Sequence, residues 1–591
     1  MNIKPILYSL EPHDPAGHRF RVTMTIPDPA RSGQTLSLPA WIPGSYLLRD
    51  FARQIETISA KAGSRSLPVT KVSSHSWRVA PCDGPLHVTT IIYAWDLSVR
   101  GAHLDETHGF FNGTSVFLQV HGHEQRPCLV TLLPPPTPSH WNVYTSLPEV
   151  SHARLAGPHR GFCAYRADNY DALIDHPVEM GTPQVVRFNA CGAPHEMVFT
   201  GQIPNLDLKR IAADVKRICE TQIRFFEPDT HRAPFLDSAS RYLFMTMVTG
   251  DGYGGLEHRA STALVASRKD LPVRGVADAP EGYQTFLGLV SHEYFHTWNV
   301  KRIKPAAFAP YDLLRENHTR LLWIFEGFTS YYDDLMLLRS GVIDRHAYLG
   351  MLAKQISSVV SSPGRHKQSV ADSSFDAWTR YNKQDENSSN ALISYYTKGA
   401  LIALGLDLTI RAATQGQRSL DDVMRLLWVR FGRDFYRGPG QGLSETAFPK
   451  LVREATGVEV ADQVERWAYG TQDVPLERLL ATQNVALSCK AAGNRPSLDA
   501  RVRQQADQLV LASVVEHGAA HQAGLSAMDA LVAIDGIKVP AAPGALDALL
   551  SRYQAGDVVA MHVFRRDELR CFNVRLTAPS AAECTLQDLT R

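Results

Sequence analysis

The chain has 591 residues, of which 44% are hydrophobic and 20% are charged, and its formal net charge is +1. A chain of this length is too long for one hydrophobic core, so we expect several domains. The balanced charge gives no reason to expect nucleic acid or an anionic membrane as a partner. No apolar run of 18 residues is present, which argues against a membrane-spanning helix.

Eight cysteines are scattered along the chain without a Cys-x-x-Cys pair. This pattern favours reduced, mostly buried thiols over a cysteine-bound metal or the disulfides of an exported protein. The N-terminal residues also lack the apolar stretch and the small-residue cleavage site of a signal peptide. We therefore expect a cytoplasmic protein.

Residues 1–183 read as a β domain. Segments 19–26, 86–94 and 115–120 are predicted strands, and turn-forming clusters such as 134–138 separate such segments. No long amphipathic helix interrupts this region. The pattern predicts a β-sandwich-like N-terminal domain.

The pattern changes at about residue 184. Segment 206–226 has helical periodicity and 241–248 is a predicted strand, which could accept a substrate backbone as an added strand. Helices dominate from 282 to about 480, including one over 319–339, while the polar segment 361–390 is predicted to be a long loop. These features predict a mostly helical domain over 184–482.

The last part of the chain, 483–591, returns to β structure. Segments 508–515, 530–536, 558–565 and 572–576 are predicted strands. They predict a small barrel-like unit.

The segment His292-Glu293-Tyr294-Phe295-His296 carries the clearest chemical signal. Histidines four residues apart on a helix lie on one face, so both imidazoles can reach one cation. Glu293 points near the same face and can act as general base on a water that zinc activates. The segment predicts a zinc site with His292 and His296 as ligands.

Catalytic zinc usually has three protein ligands, and Glu326 is the candidate for the third. It lies in an apolar segment, Trp323–Tyr332, far enough beyond His296 for a return helix to present it to the first helix. A carboxylate on an apolar helix face is costly without a partner, and a cation is such a partner. A buried glutamate paired with an arginine is the alternative.

These segments together resemble the thermolysin-like zinc peptidases, whose third ligand is a glutamate. Gly254-Gly255-Leu256-Glu257-His258 further resembles the Gly-x-Met-Glu-Asn segment of the aminopeptidase branch, whose glutamate binds the free α-amine of the substrate. The resemblance implies substrate binding by Gly254, Gly255 and Glu257. An ion pair of Glu257 with Arg259 or with a distant lysine is the alternative.

A second segment, Tyr396-Thr397-Lys398-Gly399-Ala400, resembles the Tyr-x-Lys-Gly-Ala segment of the same branch. The tyrosine of that segment stabilises the tetrahedral oxyanion, so the resemblance implies this role for Tyr396. Such a donor contributes on the order of 3 kcal/mol. Tyr395 is a rival for the role, and either ring could instead be a packed core aromatic.

The segment Leu38–Arg53 matches the N-terminal signature of the glycyl-aminopeptidase family, and the similarity covers about 15–580. It implies a multidomain α+β fold with one Zn²⁺ per chain. We expect an N-terminal β domain over 1–183, a thermolysin-like catalytic domain over 184–482 and a PDZ-like domain over 483–591.

The C-terminal domain carries its own resemblance. Gly518–Asp529 followed by Ile534-Asp535-Gly536 resembles the helix-and-turn segment of PDZ domains, in which a strand edge and a helix form a peptide-binding groove. Residues 497–500 occupy the approximate place of the loop that holds a terminal carboxylate, but they lack its glycines. A structural or lid-like role therefore stands beside binding of a peptide ligand.

We expect a zinc aminopeptidase acting on peptides with a free N-terminus. A preference for glycine or alanine follows from the resemblance alone. One alternative is a zinc endopeptidase whose PDZ-like domain selects substrates. Another is a non-catalytic peptide-binding scaffold, which Glu293 argues against because a structural site needs no general base. The sequence leaves the oligomeric state and the physiological substrate open.

Overall fold

The computed structural model describes residues 4–136, 140–154, 160–493 and 495–590. The chain divides into two compact units. The first unit comprises Met1–Asn317, Leu335–Val342 and Leu427–Leu443, and the second comprises His318–Asp334, Ile343–Leu426 and Ser444–Arg591. Within the described ranges, no helix has both the length and the apolar character that a membrane crossing requires.

The N-terminal part of the first unit is a β domain, as predicted. Its strands and two short helices are β1 (Ile6–Asp14), β2 (Arg19–Ile26), β3 (Gln34–Ser37), β4 (Ile55–Ala62), β5 (Arg65–Leu67), β6 (Val69–Lys71), β7 (Ser76–Val79), β8 (Leu86–Tyr93), β9 (Ala102–Leu104), β10 (Gly109–Phe111), α1 (Gly113–Val116), β11 (Gln119–Val120), β12 (Cys128–Leu132), β13 (Asn142–Thr145), β14 (Glu149–Arg154), β15 (Cys163–Ala167), α2 (Tyr170–Ile174) and β16 (Val178–Gly181). The largest sheet has the order β14-β15-β12-β1-β2-β8-β4-β5.

The predicted strands of this domain are confirmed in two cases and wrong in one. Strands β2 and β8 alternate buried and half-buried side chains, as a sheet with one covered face requires. Segment 115–120 was predicted to be a strand, but α1 covers its first residues and only β11 pairs, with β3. All four residues of α1 are buried, and a segment this short carries no periodicity that separates a helix from a strand.

A five-stranded sheet with the order β17-β18-β19-β21-β20 follows in the same unit. Its elements are β17 (Gln184–Ala190), β18 (Ala193–Thr200), α3 (Leu208–Phe226), β19 (Tyr242–Thr249), β20 (Tyr253–Glu257), β21 (Ser261–Ser267) and α4 (Gly282–Phe295). Helix α4 packs against α3, β20 and β21. Strand β19 pairs with β18 on one side and with β21 on the other, so the hypothesis that 241–248 accepts a substrate strand is wrong. The edge strands are β17 and β20.

The middle region is helical, as predicted. Its helices are α5 (Leu322–Phe325), α6 (Gly327–Arg339), α7 (Arg345–Val360), α8 (Val370–Phe375), α9 (Ser388–Ala391), α10 (Thr397–Ala413), α11 (Leu420–Leu427), α12 (Phe448–Thr456), α13 (Ala461–Val464) and α14 (Leu476–Ala481). The predicted helix 319–339 is interrupted at Glu326, between α5 and α6. The predicted loop 361–390 contains α8, which is too short to leave a periodic signal.

The C-terminal part of the second unit is built from β22 (Val485–Ala491), β23 (Ala500–Gln505), β24 (Gln508–Val514), α15 (Ala519–Ala523), β25 (Ala530–Ile534), β26 (Ile537–Lys538), α16 (Ala545–Leu550), β27 (Val558–Arg565), β28 (Glu568–Arg575) and β29 (Ala582–Asp588). The main sheet has the order β23-β24-β25-β27-β28, and its core includes Leu511, Ile534 and Met561. This arrangement is compatible with a PDZ-like domain.

Strands β22 and β29 form a separate pair and carry a disulfide between Cys489 and Cys584. The two cysteines are directly opposed in the antiparallel register. The expectation of reduced thiols is therefore wrong for these two residues. Their separation of 95 positions hides the pairing from the sequence, because spacing does not report register between distant strands.

Candidate active site

The two motif histidines lie at the C-terminal end of α4. This helix is buried on most sides, so packing fixes its position on the five-stranded sheet. The Nε2 atoms of His292 and His296 lie 3.0 Å apart, and the two rings are nearly perpendicular at 89°. Two nitrogen donors thus approach one another beside the helix.

A contact to the turn after α4 sets the tautomer of His296. Its Nδ1 lies 2.7 Å from the carbonyl oxygen of Asn299, and a carbonyl only accepts, so Nδ1 carries the proton. Nε2 then carries the lone pair and faces His292. An imidazole binds a metal in this neutral form, through the nitrogen that has no proton. This donor arrangement fits Zn²⁺. Side-chain patterns carry no signal for a carbonyl contact, so Asn299 is not among the residues predicted from the sequence.

Glu293 lies against the edge strand β20. A Cβ built on Gly255 would overlap the Glu293 carboxylate, whereas a Cβ on Gly254 would meet no atom within 4 Å. Gly255 and Glu257 are two residues apart on a strand and therefore share a face. Glu257, Glu293 and His296 each offer a ligand atom, and these atoms lie within 4.8 Å of one another. The structure thus brings these three predicted residues together.

Glu257 is 3% exposed, and its Oε1 has no hydrogen-bond partner among the described residues. Its other oxygen faces Gly44, where a Cβ would lie 2.5 Å from Oε2. Gly44 also has a φ of 96°, which favours glycine. The guanidinium of Arg259, which was the alternative partner for Glu257, pairs instead with Asp171 and Asp175. Burying a carboxylate is costly, and a neighbouring cationic group offsets that cost.

A buried ion cluster lies beside Glu257. Asp175 accepts from His258 at 3.0 Å and Arg259 at 2.9 Å, and Lys301 lies 2.9 Å away. Burial alone would raise the pKa of Asp175, but the charges of Lys301 and Arg259 hold it well below its ordinary value. The cluster ties the end of β20 to the turn after α4. Its members come from distant segments, so spacing does not reveal it.

In the second unit, Glu326 is buried between α5 and α6. The next residue, Gly327, lies so close to α10 that a Cβ there would be 2.6 Å from the Cα of Gly399. This close approach of two glycines brings the end of α10 near Glu326. Burial, and then the charge of Glu326, raise the pKa of Tyr395 well above its ordinary value.

The two candidate tyrosines differ in their surroundings. Tyr395 is fully buried. Tyr396 is half-buried and lies at the N-terminal end of α10. Their rings are stacked at 4.7 Å. Only Tyr396 combines partial exposure with a position at a helix end.

Solved structures of more distant peptidases share little sequence with this chain. An M1 zinc metallopeptidase from Deinococcus radiodurans, solved as a mutant with a Tyr-Ser-Ala substrate, is 15% identical over 80% of this chain and 95% of that chain, with a TM-score of 0.47. Another structure of the same organism's M1 zinc metallopeptidase is 14% identical over the same shares, with a TM-score of 0.48. No curated protein matches the chain.

The family comparisons are specific. Residues 7–182 match the Peptidase M61 N-terminal domain, and residues 285–402 match the M61 glycyl aminopeptidase domain. The crystal structure of an aminopeptidase N family protein from Idiomarina loihiensis is 40% identical, covers 99% of this chain and 98% of that chain, and has a TM-score of 0.92. The chain is therefore a metallo-aminopeptidase and belongs to the M61 glycyl aminopeptidase family.

Proposed function

We propose that the chain is a zinc-dependent aminopeptidase that removes the N-terminal residue of peptides with a free N-terminus, and that it favours glycine or alanine there. The observation that carries the proposal is the buried carboxylate of Glu257 beside Glu293 and His296. Its Oε1 has no hydrogen-bond partner within the described ranges. A substrate ammonium group would supply that partner together with a positive charge, whereas an internal peptide bond offers only a neutral N–H.

One Zn²⁺ per chain would be held by His292, His296 and Glu326. The tautomer of His296 and the 3.0 Å approach of the two Nε2 atoms support the histidine pair. The burial of Glu326 supports the third ligand, since a buried carboxylate is stabilised by a cation. When bound, the metal supplies Lewis-acid activation of water and of the peptide carbonyl.

Glu293 is the proposed general base. Its carboxylate takes a proton from the attacking water and later passes it to the leaving amine. Burial against Gly255 supports this role because a fixed carboxylate loses little freedom when the substrate binds. Gly255 and Gly254 belong to the edge strand β20, which leaves backbone groups free to bind an extended peptide.

Tyr396 is the proposed donor to the oxyanion. Its hydroxyl would donate to the oxygen that gains charge when water attacks the peptide carbonyl. Partial exposure supports Tyr396 over Tyr395, since a donor to substrate must be accessible from solvent.

The preference for a small first residue is supported by the backbone at Gly44. This residue lies against the Glu257 carboxylate so closely that it has no room for a Cβ. A substrate amine bound to Glu257 would therefore place its first side chain in a crowded space. Glycine and alanine need the least room there.

For the PDZ-like domain we propose a structural role. Asn390 donates to the carbonyl of Val514 and accepts from the amide of Glu516, which ties the end of β24 to the helical region of the same unit. In the place of a carboxylate-binding loop, Asp499 is buried and accepts from the backbone and hydroxyl of Ser580. A negative side chain at that place opposes binding of a terminal carboxylate.

The decisive experiment compares Gly- and Ala-initiated peptides with free and acetylated N-termini. It uses the wild type, Glu293→Gln and Glu257→Gln, with zinc content measured for each. We expect cleavage of the free-amine peptides only. Glu293→Gln should abolish it at unchanged zinc content, and Glu257→Gln should lower kcat/KM by about 100-fold, because a buried charge-assisted contact is worth about 3 kcal/mol.

Equal cleavage of free and acetylated peptides by the wild type would contradict the amine-binding role of Glu257 and favour an endopeptidase. Absence of cleavage with zinc bound would favour a peptide-binding scaffold.

A further inference from the structure

The hairpin between β9 and β10 holds a second group of metal-binding side chains, separate from the proposed zinc site. His103, Asp105 and His108 each offer a ligand atom, and these atoms lie within 4.8 Å of one another. Asp105 is held by its turn, because its Oδ1 accepts from the backbone and hydroxyl of Thr107. Its Oδ2 lies 3.2 Å from Nε2 of His103.

Both imidazoles are buried and fixed in orientation. His103 and His108 are each 5% exposed, and their rings stack at 4.9 Å with an angle of 23°. Trp95 also stacks on His103, with ring centroids 4.8 Å apart. Such a stack holds each histidine ring in one position before any ligand binds, so little conformational freedom is lost on binding.

Each of the two rings has a buried nitrogen for which the residues that the structure describes offer no hydrogen bond of good geometry. The Nδ1 of His103 is buried and has no hydrogen-bond partner in the described part of the chain. The Nδ1 of His108 lies 3.4 Å from Oε1 of Glu179 but does not meet hydrogen-bond geometry. Buried polar groups are nearly always paired, so two such nitrogens on neighbouring rings call for a ligand.

Glu179 brings a second carboxylate to the same place. It is a buried residue of β16, and its Oε1 accepts from Thr200 of β18. His103, His108 and Glu179 line a cavity of about 20 Å³ together with Met245, Met247 and Val265, which is room for about one water-sized particle. Two carboxylates beside two imidazoles form an anionic set of oxygen and nitrogen donors, which a divalent cation neutralises.

We propose that His103, Asp105 and His108, with Glu179 as a fourth ligand, bind one divalent first-row transition-metal ion. Imidazole and carboxylate together suit zinc and its neighbours in the series. The site shares no residue with the proposed catalytic zinc site. Glu179 accepts from Thr200 of β18, so the ion would link the β9–β10 hairpin to the five-stranded sheet.

The test counts zinc ions per chain in the full-length protein by mass spectrometry, after equilibration with Zn²⁺ and dialysis against a weak chelator. The variants are His103→Gln/His108→Gln, which removes the inferred site, and His292→Asn/His296→Asn, which removes the proposed catalytic site. An exposed pair, His517→Gln/His521→Gln, serves as the matched control. We expect two ions in the wild type and in the control, and one ion in each of the other two variants.

A His103→Gln/His108→Gln variant that binds as many ions as the wild type would overturn the inference and leave these residues as a buried His–carboxylate network. The His292→Asn/His296→Asn chain keeps the inferred site intact, so it remains informative if the other variant fails to fold. One ion there supports the inference and none overturns it. Failure of the catalytic assignment would instead show as an ion count in this chain that equals the wild type.

Discussion

The carboxylate of Glu293 lies directly against the backbone of Gly255. A side chain at position 255 would occupy the space of that carboxylate. Helix α4 carries the proposed base and β20 carries the proposed amine-binding Glu257, so this contact sets the spacing between the two functions. Position 255 therefore requires glycine, because the Glu293 carboxylate occupies the space that a side chain would need.

The first prediction concerns the two glycines of β20. Gly255→Ala should lower kcat/KM on a Gly-initiated peptide by about 100-fold, because a displacement of about 1 Å of the general base has that effect. Gly254→Ala is the steric comparison. Its Cβ would meet no atom within 4 Å, and the backbone groups proposed to bind the peptide are kept, so kcat/KM should change by no more than about threefold. Zinc content should be unchanged in both. Equal losses in the two variants would contradict the steric argument.

The second prediction separates the two adjacent tyrosines. Tyr396→Phe should lower kcat by about 100- to 1,000-fold with a small change in KM, as expected for a group that acts only in the transition state. Tyr395→Phe removes a hydroxyl that is fully buried away from solvent, so its kcat should stay near that of the wild type. Steady-state kinetics on one peptide decide this. A larger kcat loss in Tyr395→Phe would assign the oxyanion role to Tyr395.

The sequence predicts well those features that depend on local pattern. Alternation along 19–26 and 86–94 identifies strands because each has one buried face. The spacing of His292 and His296 places two imidazoles on one side of α4, and the structure brings their Nε2 atoms together. Burial of Glu326 also agrees with its expected position on an apolar face.

Features that depend on contacts between distant segments cannot be predicted from patterns in the sequence. Gly44 lies inside the family signature, but its contact with Glu257 spans more than 200 positions and leaves no periodic pattern. The opposition of Cys489 and Cys584 depends on strand register. The orientation of His103 depends on stacking against Trp95 and His108, which the predicted strands do not specify.

The third prediction concerns acid stability. Burial lowers the pKa of His195 to about 4, from an ordinary value of 6.5. Its Nδ1 donates to the carbonyl of Ala193, which leaves Nε2 to accept from the hydroxyl of Tyr294 in the zinc motif. The unfolded chain therefore binds more protons than the folded chain between about pH 6.5 and pH 4, and the free energy of unfolding falls as pH falls through this window.

The size of that loss follows from the shift. It is on the order of 3 kcal/mol by pH 4, because each pKa unit corresponds to about 1.4 kcal/mol. Denaturant unfolding at pH 7 and pH 4 should show a smaller acid loss for His195→Gln than for the wild type, by about this amount. An equal acid loss in both proteins would show that His195 does not stay neutral in the folded state.

The last prediction concerns the disulfide between Cys489 and Cys584. It closes a loop of 95 positions that contains the core of the PDZ-like domain, and such a loop contributes about 2–4 kcal/mol to the free energy of unfolding. Cys489→Ser/Cys584→Ser should therefore lower the unfolding temperature of this domain in calorimetry, and a reducing agent should lower it in the wild type but not in the variant. Cys571→Ser removes an exposed free thiol and is the control that should leave the unfolding temperature unchanged.

Thiol titration tests directly whether the bond forms. Unreduced, denatured wild type should show six free cysteines. Eight free cysteines would mean that the bond does not form in the compartment where the protein is made, as expected for a reducing cytoplasm.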